Sequence, residues 1–260
     1  MYHLVYSKIT DIGDIRASNQ DSILCLQNNF KNYSAGLFIV ADGMGGLSNG
    51  GEASNYIVSQ FQNWWNQDFP EMISKKIKSN DDVGELIEQE IWDINQAVIA
   101  YGNQVQSKVG STLSLLLIID DRYYIKNLGD SRIYLKRNKK LLQLTEDQSL
   151  VAQLIREKKL TLEEAKHYQK KNVLTMCIGI YQEPKAFSAY GKIKDRDQFL
   201  LCSDGLYNCM EAQEIWKTLS DRDIAEEQKA QSLRSIIQLG KAKDNVSAIV
   251  LECKKKGLFK

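Results

Sequence analysis

Residues 112–137 read TLSLLLIIDDRYYIKNLGDSRIYLKR. Three runs rich in Leu, Ile and Tyr are broken only by Asp120-Asp121 and by Gly129-Asp130, pairs with room for little more than a tight turn. The spacing predicts strands in an antiparallel meander. Outward from this stretch the period of the apolar residues changes repeatedly. Residues 2–10 alternate as a strand, and residues 37–41 form a short buried one. Residues 51–65 place Ala53, Ile57, Phe61 and Trp64 at helical spacing, and Ile87, Ile91, Ile94, Val98 and Tyr101 make a second apolar stripe. Downstream, helices are expected at 150–158 and 161–168, strands at 187–193 and 198–202, helices near 211–219 and 224–239, and a closing strand at 246–252. Each helical stripe has to be buried against a sheet face. The expected class is therefore α+β, with two packed antiparallel sheets covered by helices on their outer faces. Trp64, Trp65, Trp92 and Trp216 lie on helical faces and are expected in the core. No Pro/Ser-rich linker, repeat or low-complexity block divides the chain, so one domain is expected over residues 1–260.

The 260 residues carry 34 Lys and Arg against 33 Asp and Glu. A balance this even gives no long-range field to gather nucleic acid or anionic lipid, so any acidic ligand has to be held locally. The start, MYHLVYSKITDIGD, lacks the basic-then-apolar layout of a signal peptide, and no apolar run approaches the roughly eighteen residues that span a bilayer. A cytoplasmic protein is expected. Cys25, Cys177, Cys202, Cys209 and Cys253 are scattered without a CxxC pair and read as reduced core thiols. His3 and His167 are the only histidines, too few for a multi-histidine zinc site. A metal bound here would be bound by oxygen.

Several apolar runs stop at an aspartate beside glycine. LFIVADG ends at Asp42, IKNLGD at Asp130 and QFLLCSDG at Asp204, while Asp244 stands just before its strand in KDNVSAIVLE. In an antiparallel sheet the end of one strand lies beside the beginning of its neighbour, so these four can meet at one edge. Four unpaired carboxylates in one place repel and are costly to desolvate, and their convergence implies compensating cations. Mg²⁺ and Mn²⁺ favour such oxygen ligands. Gly43 and Gly45-Gly46 let the backbone turn tightly and expose a carbonyl beside Asp42. Asp-Gly is also an ordinary turn dipeptide, and on these residues alone the turn reading and the metal reading stand side by side.

In chain order, RASNQDS (16–22), ADGMGG (41–46), GST (110–112), LGDSRIY (128–134), LTEDQSLV (144–151), NVLTMCIG (172–179), CSDGLYN (202–208) and DNVSAIV (244–250) resemble the type 2C, or metal-dependent, serine/threonine protein phosphatases of bacterial type. The resemblance implies a four-layer αββα sandwich with a metal cluster at one edge. It also implies a role for each matching position. Asp42 bridges two ions of Mn²⁺ or Mg²⁺, the Gly43 carbonyl completes one of them, and Asp204 and Asp244 hold the other. Asp21 lies near the second ion, and Asp130 with Asp204 helps hold a weaker third. Arg16 binds phosphate through a two-pronged guanidinium contact that lysine cannot copy. Residues 148–171 match a flap beside the active site, with His167 in it.

The implied reaction is hydrolysis of phosphoserine and phosphothreonine esters on proteins by water activated between the cations, without a covalent intermediate. Asp42, Arg16 and Asp204 form the catalytic set. The implied partners are phosphorylated proteins, including a cognate Ser/Thr kinase and its substrates, with no nucleic acid or membrane, and the chain is expected to act as a monomer. Three departures matter. Met44 stands where many eukaryotic relatives have histidine as a proton donor, and the expectation is that a metal-bound water protonates the leaving group. Gln148 replaces a usual histidine and Ser247 a usual threonine, neither of them a ligand position. The competing readings are a silent phosphoprotein- or kinase-binding module, opposed by the presence of Asp21, Asp42, Asp204 and Asp244, and a hydrolase of small phosphate esters.

Overall fold

The computed structural model describes residues 2–30, 33–45, 49–76, 79–238 and 240–255. In chain order the strands are β1 (Tyr2–Asp11), β2 (Asp21–Asn29), β3 (Ser34–Gly45), β4 (Val109–Ser111), β5 (Leu113–Ile119), β6 (Arg122–Leu128), β7 (Arg132–Arg137), β8 (Lys140–Gln143), β9 (Phe187–Lys192), β10 (Asp197–Cys202) and β11 (Val246–Lys255). The helices are α1 (Asn49–Gln67), α2 (Phe69–Lys76), α3 (Asn80–Gln104), α4 (Leu150–Arg156), α5 (Leu162–Lys166), α6 (Asp204–Tyr207), α7 (Ala212–Ser220) and α8 (Lys229–Ile236), the last entered through a 3₁₀ turn at Glu226–Gln228. One antiparallel sheet runs β1-β11-β10-β7-β8 and the other β2-β3-β5-β6-β9, with β4 beside the end of β3.

The continuous apolar runs follow from burial on both faces. Along β3, Leu37, Ile39 and Ala41 face a core shared with α1 and α3, including Ile57, Phe61, Ile91 and Ile94. The alternate residues Phe38 and Val40 face the other sheet and meet Phe199, Leu201, Ile249 and Leu251. β10 and β11 repeat the division, because Leu200, Val246, Ala248 and Val250 turn outward to Leu206, Ile215, Leu219 and Leu233 of α6, α7 and α8. Side chains on a strand alternate faces, so a central strand of a four-layer sandwich is covered on both sides, whereas edge strands such as β9 keep an exposed face. Phe38 and Tyr6 close the interface between sheets edge to face, with centroids 5.5 Å apart. This is the expected αββα arrangement.

Several expectations need correction. Gly129 has φ +99° and its Cα packs against Thr112, so the chain leaves the β5-β6 sheet there and enters the other one. β7 therefore pairs with β10 and β8 rather than with β6, and the meander stops at Asp130. The short strand at 37–41 extends to Gly45 because β4 continues its pairing, Gly43 opposite Ser111. β2 and α2 were not expected. The helix expected at 224–239 starts as the 3₁₀ turn and ends at Ile236, while Leu239 and Gly46 lie outside the described residues. Trp64 and Trp65 are core residues, whereas Trp92 is 49% exposed on α3. Cys177, Cys202 and Cys253 are buried thiols, and Cys25 and Cys209 are only partly covered.

Candidate metal and phosphate site

The two sheets bring the aspartates together at one end of the sandwich. Asp21 opens β2 directly opposite Asp42 of β3 in the strand register. Asp130 occupies the crossing from β6 to β7, Asp204 starts α6 just after β10, and Asp244 precedes β11, the neighbour of β10. Asp42 is thus not at a strand end, and its carbonyl is held from the far side by Thr112 N–H at 2.9 Å and Ser111 Oγ at 3.0 Å.

Close backbone approach sets this geometry. A Cβ on Gly43 would stand 2.0 Å from the Gly50 carbonyl and 2.7 Å from that of Gln20, so only glycine lets β3, the start of α1 and the entry to β2 converge. A Cβ on Gly205 would stand 2.0 Å from the Asn245 carbonyl, which fixes α6 against the start of β11. Buried hydroxyls join the sheets: Thr112 Oγ1 accepts from Asp42 N–H at 2.9 Å and pairs with Ser131 Oγ at 2.8 Å. Ser203 Oγ donates to Asp21 Oδ2 at 2.7 Å.

Arg16 rides on the loop between β1 and β2. Asn245 holds that loop, donating to the carbonyls of Ile12 at 2.8 Å and Ser18 at 3.0 Å and accepting from Gln20 N–H at 2.8 Å. The half-exposed Arg16 guanidinium donates to Asp244 Oδ2 at 2.7 Å, so the arginine and an aspartate of the site share one surface. Asn245, Ser203, Thr112 and Ser131 lie inside the motifs but had no assigned role, because their partners are distant in sequence.

The electrostatics are those of crowded anions, with Arg16 on Asp244 too little counter-charge for the buried members. Burial, then the charges of Asp21, Asp204, Asp130 and Asp244, hold the Asp42 carboxyl well above the usual carboxylate range. Burial and neighbouring carboxylates raise Asp204 to about 7, and Asp130, where burial and Asp147 act most, to about 6. Asp21 is raised to about 6, chiefly by burial, against the hydrogen bond from Ser203. Asp21 Oδ1 and Asp204 Oδ1 are buried with no hydrogen-bond partner among the described residues. A buried carboxylate oxygen with no donor is a costly feature, and it fits a divalent cation. No three His, Cys, Asp or Glu side chains among the described residues are drawn together at closed-cluster spacing. Mg²⁺ uses one or two protein carboxylates and keeps several waters, so a site of this kind does not require such a cluster.

The segment 148–171 leaves and rejoins the site through a paired base. Ser149 bridges Leu174, Leu150 N–H donates to Val173 O at 2.8 Å, and Ser149 caps α4. α5 carries a Thr161–Glu164 capping box and ends at exposed His167.

Comparison with known proteins places the chain in a family. The sequence model of the family described as Protein phosphatase 2C matches residues 16–238. Protein phosphatase PhpP of Streptococcus pneumoniae is 31% identical over 247 residues, covering 94% of this chain and 96% of its own length. Serine/threonine phosphatase stp of Listeria welshimeri is 29% identical over 250 residues, covering 94% and 93%. Among solved structures, the S. agalactiae serine/threonine phosphatase superposes with a TM-score of 0.86 at 27% identity, covering 96% of this chain and 99% of that one. The catalytic domain of the serine/threonine protein phosphatase PstP in complex with two manganese ions gives 0.79 at 26%, covering 98% and 100%. The chain belongs to the protein phosphatase 2C family.

A carboxyl whose folded pKa is raised favours the folded state while protonated, and that contribution is lost as pH climbs from its unfolded value near 4 to its folded value. With Asp21 and Asp130 at about 6 and Asp204 at about 7, the metal-free protein should lose stability between about pH 4 and pH 7. Calorimetric melts of chelator-treated protein are expected to show a higher midpoint at pH 5 than at pH 8, and Mn²⁺ should remove most of the difference. Equal midpoints in the chelated protein would contradict the crowding.

Proposed function

We propose that this enzyme hydrolyses phosphoserine and phosphothreonine esters on proteins, reversing the action of a cognate Ser/Thr kinase, as a single domain over residues 1–260 acting as a cytoplasmic monomer. Family membership carries the phosphatase activity. The observation that carries the metal dependence is the pair of buried, unpartnered oxygens on Asp21 and Asp204 among mutually repelling carboxylates. Asp42, Asp204 and Asp244 with the Gly43 carbonyl would hold two ions of Mn²⁺ or Mg²⁺, Asp21 would lie against the second, and Asp130 would serve a third. When bound, such ions lower the pKa of a water toward neutrality and offset the charge of the phosphoryl oxygens.

The chain's own residues supply the rest. Arg16, on the exposed lip beside Asp244, takes the non-bridging phosphate oxygens. No thiol competes as nucleophile: burial raises Cys25, Cys177 and Cys202 to about 12 and Cys253 higher still, and Cys209 is raised as well. A thiol attacks only as thiolate, so these are inert at neutral pH. Neither histidine sits at the aspartates: His3 pairs with Lys254 toward the far end of β1, and His167 lies in α5's C-cap. Met44 offers no proton. Among the described residues no helix is long and apolar enough to cross a membrane.

The direct test is phosphate release from a phosphothreonine peptide. Activity should require Mn²⁺ or Mg²⁺ and vanish with a chelator, and Asp42→Asn and Asp204→Asn should lower turnover more than about a hundredfold, beyond the effect of losing a supporting partner. Wild-type rates in either folded variant would show the site to be misassigned. Arg16→Ala should instead raise KM more than it lowers kcat, with a loss in kcat/KM of roughly tenfold to a hundredfold, the worth of one charge-assisted contact. An unchanged efficiency would leave Arg16 no part in phosphate binding.

A further inference from the structure

Three segments that carry or flank the site converge on one guanidinium. Arg132 follows Asp130 by two residues, at the start of β7. Its Nε donates to Asp147 Oδ1 at 3.0 Å and Oδ2 at 3.1 Å, its Nη2 to Asp147 Oδ2 at 2.6 Å, and its Nη1 to the Tyr134 hydroxyl at 3.0 Å. Its carbon lies 3.6 Å from the centroid of the Tyr207 ring. Tyr207 is the last residue of α6, the helix that Asp204 opens, and its hydroxyl donates to the Asp130 carbonyl at 3.0 Å. Asp147 sits at the base of the flap segment, where its carbonyl accepts from Arg156 of α4 at 3.1 Å and its carboxylate from Gln143 at 2.8 Å. The next residue, Gln148, closes the circuit. Its N–H donates to the Gly129 carbonyl at 2.9 Å, its Oε1 accepts from Gly129 N–H at 3.1 Å, and its Nε2 donates to the Lys185 carbonyl at 2.9 Å.

We propose that Arg132 is a positioning residue that locks the Asp130 turn, the Asp204 turn and the base of segment 148–171 into one unit, so that Asp130 and Asp204 stay at the spacing a divalent cation needs. The inference rests on the metal reading of the site. The Arg132 side chain is a quarter exposed, and its polar atoms are engaged by Asp147 and Tyr134 while its face lies on Tyr207. The task also needs arginine. A planar fork can bind one carboxylate through two nitrogens, reach a phenol with the third and still present its face to an aromatic ring, whereas an ammonium makes point contacts without the fork. Among the described residues Arg132 alone joins Tyr207 to Asp147 directly. Without it the link runs only the long way round, through the Asp130 carbonyl, Gly129 and Gln148, and resists the repulsion between Asp130 and Asp204 less well.

The test is Mn²⁺ titration by isothermal calorimetry on wild-type, Arg132→Lys and Tyr207→Phe proteins, with circular dichroism to confirm folding. Arg132→Lys should bind Mn²⁺ about tenfold or more weakly, the range expected for losing a partner that orients ligands. Its phosphatase activity should return toward wild type at high Mn²⁺. Tyr207→Phe keeps the ring but loses the hydrogen bond to Asp130, and should shift affinity the same way by about twofold to fivefold. Wild-type affinity in folded Arg132→Lys overturns the proposal, and if that variant does not fold, unchanged affinity in Tyr207→Phe does so. A wild-type protein that binds no Mn²⁺ would overturn the metal reading itself, and this inference with it.

Discussion

The structure depends on holding five carboxylates at the end of a sandwich where water is partly excluded and where burial, with charge from neighbouring aspartates, raises the proton affinity of Asp21, Asp42, Asp130 and Asp204. Asp21, Asp42, Asp130, Asp204 and Asp244 come from five different stretches of chain, and like charges at such a place would move apart if the backbone let them. The scaffold does not let them. Asp21 and Asp42 are fixed opposite one another by β2-β3 pairing, Asp204 and Asp244 flank the paired ends of β10 and β11, and Asp130 lies where the chain changes sheets. The cost of this arrangement is the reason to expect a cation, because divalent charge turns the repulsion into attraction.

The rest of the molecule supplies stiffness to that edge. Sheet faces buried on both sides, with Phe38 and Phe199 in the middle layer, leave little freedom for the strands to slide. At the site the stiffness passes from packing to hydrogen bonds: the Thr112–Ser131 hydroxyl pair ties one sheet to the other, and Asn245 pins the loop that presents Arg16. Close approaches at Gly43 and Gly205 let backbones touch where side chains would hold them apart. Arg16 stands on a half-exposed but anchored lip, with the buried aspartates on the floor below it.

Much of this was legible in the sequence, for identifiable reasons. Helical stripes such as Ile87, Ile91, Ile94 and Val98 survive any context, and doubly buried strands such as TLSLLLII announce themselves by lacking polar residues. β2 was missed because its DSILCLQNN has a polar tail and only partial burial, and α2 because it is short and carries Pro70 at its start. The expected meander runs through β5 and β6 and fails at β7, because periodicity reports that a segment is a strand and says nothing of its partner. Gly129, with its positive φ, stands where the chain departs for the other sheet. Trp92 looked like core because its helix is amphipathic, yet it sits beside the buried stripe. The supporting contacts were hidden for another reason. Asn245 acts across more than two hundred residues on the Arg16 loop, and Arg132 acts on Asp147 across a change of direction in the chain. Motifs marked where these residues stand, and folding alone shows what they hold.

The measurement that reaches the central claim most directly is the proton count on Mn²⁺ binding, obtained by calorimetric titration of metal-free protein at pH 6 in buffers of different ionisation enthalpy. Carboxyls raised to about 6 and 7 are partly protonated there, so the account predicts saturable binding that releases protons, fewer of them at pH 8, and loses both in Asp42→Asn. Saturable binding with no proton release at pH 6, or binding left intact in Asp42→Asn, would contradict it.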